Sequence, residues 1–77
     1  MKNTAEKPMF VVCLSNRGHA VSLVTRRLYR RLEDPVAASH AMVRVVDESG
    51  EDYLFPAKLF AEIALPKPLA SRLARAA

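Results

Sequence analysis

Residues 41–65 carry the pattern that most restricts what this chain can become. Val43, Val45 and Val46 belong to the β-branched class that packs well on a pleated, half-buried surface, and beyond Asp47-Glu48-Ser49-Gly50-Glu51 the residues Tyr53 and Phe55 alternate in the same way. The run between them is polar and holds one of only two glycines in the chain, the residue that supplies turn conformations most readily. The pattern predicts an antiparallel hairpin of residues 41–46 and 52–55. Pro56 stops the second strand by removing an amide donor. Residues 57–60 then suffice for one helical turn, with a last strand at 61–65.

With 77 residues the chain is too short to divide its core, so a single domain is expected. Cys13 is its only cysteine. No internal disulfide can therefore reinforce that core, which excludes the disulfide-scaffold secreted classes and fits a reducing compartment. Residues 9–14 are Val- and Phe-rich, close on Ser15-Asn16-Arg17-Gly18 and predict a buried strand in which Cys13 acts as a small hydrophobe. Residues 1–8 are polar, end in proline and read as a loose leader. Residues 20–32 admit two readings. As a helix, Val21, Val24, Leu28 and Leu32 form an apolar stripe; as a loop followed by a strand, Leu28, Arg30 and Leu32 share one face and Tyr29 and Arg31 the other. Asp34-Pro35 reads as a helix start of one or two turns. In the basic tail, residues 67–77, Leu69, Ala70 and Leu73 suggest a short helix.

The run Val43-Arg44-Val45-Val46-Asp47-Glu48-Ser49-Gly50-Glu51-Asp52-Tyr53-Leu54-Phe55-Pro56-Ala57 resembles a group of small, uncharacterised bacterial proteins. In that group a strand, an acidic Ser-Gly turn, a Tyr-Leu-aromatic-Pro strand and a short turn follow in this order. A cysteine-bearing first strand, the Leu28-Tyr29 pair and an Asp-led segment at Asp34 extend the likeness over about residues 9–66. The same carboxy-terminal half is similar to the end of Src-homology-3-like barrels, where one helical turn precedes the closing strand. The resemblance implies a mostly β fold: a small five-stranded Src-homology-3-like barrel over residues 9–66, with a short helical turn and a short C-terminal helix. It also favours a strand at residues 27–32 over the helix suggested by periodicity. Proline-peptide recognition in true Src-homology-3 domains uses an aromatic groove containing tryptophan. This chain has no tryptophan, and Phe10, Phe55 and Phe60 are expected in the core. The bacterial group transfers no activity.

Charge supplies the functional expectation. The net charge is +4, and its distribution says more than its size. Residues 8–32 hold five arginines and no acid, whereas residues 33–52 hold six acids and one base. Arg26, Arg27, Arg30 and Arg31 place four guanidiniums within six residues, with Tyr29 between them. Such a set can contact phosphates while the tyrosine stacks on a base; the commoner role of such arginines is to pair with acids or to solvate a face. His19 and His40 lie far apart without a carboxylate or histidine partner at ligand spacing, so both are read as surface residues and no metal is expected. Cys13, Ser15 and His19 lack a glycine loop to hold an oxyanion. The acids of residues 47–52 are packed too closely for a twelve-residue calcium loop and are read as a solvated turn. The expectation is a non-catalytic, cofactor-free interaction module with a protein partner, and a nucleic-acid-binding barrel as the alternative. No apolar run reaches the roughly 20 residues of a membrane span, and residues 9–14 fall short of a secretory signal, so a cytoplasmic site is expected.

Overall fold

The computed structural model describes residues 10–75; the expected leader at residues 1–8 and the last two residues of the tail lie outside that range. Among the described residues five strands form in chain order: β1 (Phe10–Cys13), β2 (Leu28–Leu32), β3 (Met42–Val46), β4 (Asp52–Pro56) and β5 (Phe60–Ile63). Two short helices accompany them, α1 (Pro35–Ala38) and α2 (Lys67–Arg75), and a single 3-10 turn, Ala57–Leu59, separates β4 from β5. The strands make one antiparallel sheet in the order β4-β3-β2-β1-β5.

Local chemistry accounts for most of these boundaries. Asp34 caps α1 by accepting the Ala37 N–H at 3.0 Å, and Pro35 occupies the first turn, where its missing N–H costs nothing. In the hairpin, Val45 lies opposite Tyr53 and Val43 opposite Phe55. Its turn closes through Gly50, at φ 87°, whose N–H bonds the Asp47 carbonyl at 3.0 Å. That left-handed conformation is one glycine adopts without steric cost.

Residues 20–32 resolve as a loop followed by a strand. The apolar stripe of the helical reading is not the buried set: Val21 is 96% exposed, and Val24 and Leu28 are partly exposed, while Leu23 and Tyr29, outside that stripe, are buried. A helix here would also set Arg26 against Arg30 and Arg27 against Arg31 at the four-residue spacing where like charges repel. As a strand, residues 28–32 instead find hydrogen-bonding partners on both sides. The connecting residues, 14–27, are tied by the Asn16 side-chain amide to the Leu23 carbonyl at 2.9 Å and by the Glu48 N–H to the Ser22 carbonyl at 3.0 Å.

The core lies on one face of the sheet and contains Val11, Cys13, Tyr29, Val45, Phe55 and Phe60, together with Leu23 from the loop and Leu59 from the 3-10 turn. The rings of Phe55 and Phe60 meet edge to face at 6.1 Å, although β4 and β5 stand at opposite ends of the strand order. In a flat sheet those strands would lie about 19 Å apart, four spacings of about 4.8 Å. The sheet is therefore strongly curled, yet it stays open, because β4 and β5 do not pair. On its outer face α2 buries Ala70 and leaves Leu69 and Leu73 partly exposed.

Leu23 anchors the long loop, so Leu23→Ala is expected to lower the unfolding free energy by about 2–5 kcal/mol. Val21→Ala in the same loop should change it by no more than about 0.5 kcal/mol. Urea titration followed by circular dichroism compares the two.

Candidate functional site

The arginines of residues 26–31 are adjacent in the chain and dispersed in space. Strand alternation turns Tyr29 and Arg31 toward the concave face and Arg30 toward the outer one. Arg26 precedes the strand in a tight turn at φ 67°, with its N–H bonded to the Cys13 carbonyl at 2.7 Å. This conformation costs an arginine roughly 1 kcal/mol that glycine would avoid. Arg27 reaches across to the hairpin turn, where its Nη1 lies 3.0 Å from Glu48 Oε2 and 3.2 Å from Oε1. Arg30 is exposed, and Arg31 is half-buried beside a cleft of about 180 Å³ that Asp34, Arg44 and Glu62 also line. The guanidiniums of Arg26 and Arg30 form no ion pair with any described residue.

Tyr29 is not a stacking surface. Its ring is 5% exposed and belongs to the core. Only the hydroxyl reaches the rim, where it donates to Glu48 Oε2 at 2.6 Å and accepts the Val24 N–H at 2.7 Å. One phenol thus holds the end of the long loop and the hairpin turn together. Burial and the neighbouring carboxylate push the Tyr29 hydroxyl up to about 12, while its hydrogen bond, assisted by the Arg27 charge, holds the Glu48 carboxyl below its ordinary range. Nothing in the sequence pairs residues 29 and 48; the relation exists only after the hairpin folds back on the loop.

The other acids of the turn have structural partners as well, which refines their reading as a solvated cluster. Asp47 is buried, and its Oδ1 accepts the Ser49 N–H at 2.8 Å and the Ser49 hydroxyl at 2.6 Å. Asp52 receives Arg44 Nη1 at 2.9 Å, and Arg44 Nε bonds Asp34 Oδ2 at 2.8 Å. Arg44 thereby links the α1 cap to β4. Among the described residues, no group of three potential ligands stands close enough to hold a metal.

Cys13 is fully buried, its thiol donates to the Ser15 carbonyl at 3.4 Å, and burial raises its pKa, so the thiol stays protonated. His19, expected at the surface, is half-buried and meets Phe55 edge to face at 5.2 Å. His40 is exposed, with Nδ1 2.9 Å from the Val36 carbonyl oxygen.

Two further clefts have walls from separate elements, which hides them from a reading of the sequence. One, of about 360 Å³, lies between the long loop, the hairpin turn and β4 and has a mixed lining of His19, Ser22, Asp47, Ser49, Tyr53, Leu54 and Phe55. The other, of about 420 Å³, lies between α2 and the outer face of the sheet, where Phe10, Leu28, Val46, Leu73 and Ala74 form its walls beside Arg30. No described helix is long and apolar enough to cross a membrane. No family profile, curated protein or solved structure matches the chain.

The tyrosine clamp makes the fold sensitive to pH at both extremes. Glu48 binds its proton less tightly in the folded chain than in the unfolded one, so its stabilisation is complete above the ordinary 4.5 and is lost as pH falls below it. Tyr29 has the opposite shift, and its contribution is complete below 10 and disappears as pH rises through about 12. Thermal melts across the pH range should show both declines. Glu48→Gln is expected to shrink the acid one, leaving the part due to Asp34, whose carboxyl is also held low by the α1 amide and Arg44. Tyr29→Phe leaves the Val24 N–H unpaired and should cost about 1–3 kcal/mol at neutral pH.

Proposed function

We propose that the chain is a non-catalytic interaction module, a small Src-homology-3-like barrel whose partner is a protein. The strand order, the curl that brings Phe55 to Phe60 and the single 3-10 turn ahead of β5 support the barrel. The protein partner rests on one observation. Leu28 and Leu73, each 38% exposed, line the apolar cleft under α2, and the exposed Tyr53 and Leu54 share the mixed cleft beside β4, instead of being scattered singly over the surface. Apolar side chains gathered at concave sites mark surfaces that gain by being covered.

A nucleic-acid partner is the second reading, supported by the guanidiniums of Arg26 and Arg30, which form no ion pair with any described residue. It is the weaker one, because Arg27 is engaged by Glu48 and the Tyr29 ring is inside the core. Loss of those two removes one phosphate contact and the base platform from the interface the sequence suggested.

An NMR titration with short RNA and DNA at two salt concentrations separates the readings. Phosphate binding predicts affinity that falls by roughly one unit of log slope per neutralised phosphate. The protein-partner reading predicts no saturable shift of the Arg26–Arg31 amides at either salt. Saturable, salt-steep shifts there would replace it with the nucleic-acid reading.

A further inference from the structure

We propose that the groove between α2 and the outer face of β2 receives an acidic, apolar peptide segment of the partner. The proposal rests on the protein-binding reading above and adds to it a place and a chemistry. At about 420 Å³ the groove falls within the range of ordinary ligand clefts, about 300–1,000 Å³. Its walls include Leu28 and Leu73, each 38% exposed, so an inserted aliphatic or aromatic side chain would remove apolar surface from water on both sides.

Charge selects among such segments. Arg30 stands in the wall of the groove, and its guanidinium forms no ion pair or hydrogen bond with any described residue. Against an apolar wall a guanidinium gains most from a carboxylate that it can grip through two parallel N–H bonds. Arg30 is the one charged residue among those lining the groove, and α2, which forms the facing wall through Leu73 and Ala74, carries bases and no acid. An acid flanking an apolar residue therefore matches the groove, and a basic segment is repelled by it. The groove offers a nucleobase little to stack on, because its two aromatic residues, Phe10 and Tyr29, are 6% and 5% exposed.

Selection of a random twelve-residue peptide display library on the full chain tests the proposal. The enriched peptides are then synthesised with a fluorescent label and titrated by anisotropy and by amide NMR. The expected result is a set of peptides in which Asp or Glu flanks aliphatic or aromatic residues, shifting the amides of Leu28, Arg30, Val46 and Leu73. Arg30→Glu should weaken binding at least tenfold, whereas Arg17→Glu, an exposed charge in the long loop, should change it less than twofold, with unchanged thermal melts showing that both variants fold. Enriched peptides without acids, or shifts confined to Tyr53 and Leu54, would overturn the proposal and leave the protein-binding reading standing. Failure of any peptide to enrich, or displacement of the peptide by a twelve-nucleotide RNA through the same amides, would overturn both. Concentration-dependent shifts of the groove amides in the absence of peptide would assign the groove to a second copy and overturn the proposal.

Discussion

The fold depends on how β2 divides its hydrogen bonds. Leu28, Tyr29 and Arg30 stand opposite β1, and Arg31 and Leu32 stand opposite β3. β2 thereby joins the β1–β5 pair on one edge to the β3–β4 pair on the other, and the sheet turns these pairs toward each other far enough to bring Phe55 and Phe60 into contact. The turn gathers Val11, Cys13, Val45, Phe55 and Phe60 into one core even though they come from four strands. It also leaves a mouth that the long loop closes with Leu23. A chain of this size buries a smaller share of its surface than a large domain does, which makes a side chain lent by a loop more consequential than it would be elsewhere.

Electrostatics follow from that geometry. The sequence separates a basic amino-terminal part from an acidic middle, and folding brings the two together at two points: Arg27 and Tyr29 against Glu48, and Arg44 between Asp34 and Asp52. These contacts lie at least partly in solvent, where a single ion pair contributes little. Their weight comes from what they join. The first fastens the loop to the hairpin, and the second fastens the α1 cap to β4. The cations left over, Arg26 and Arg30 among them, are what the molecule offers to an outside anion.

The hairpin was legible because its signals are local: β-branched alternation, a Ser-Gly turn and a terminating proline act within a few residues of one another. The cap at Asp34 and the 3-10 turn were legible for the same reason. Residues 20–32 were ambiguous because a helical stripe and a loop followed by a strand can share the same leucines and valines, and only the pairing of β2 with β1 and β3 decides between them. The arginine cluster was legible as composition and misleading as a surface. A strand sends successive side chains to opposite faces, so Tyr29 became a core residue while Arg30 stayed in solvent. Glu48 as a partner of Tyr29 was invisible, being a consequence of closure across 19 positions.

An open sheet has two bare margins, and here each is guarded. β4 begins with the carboxylate of Asp52 and ends at Pro56, which has no amide to offer, while β5 carries the exposed Glu62 in its short span. A neighbouring molecule trying to extend the ladder would meet the Glu62 carboxylate on one flank and, on the other, a missing donor beside a carboxylate that Arg44 holds. The sheet can therefore curl without sealing and still present, at each margin, a feature that disfavours an added strand.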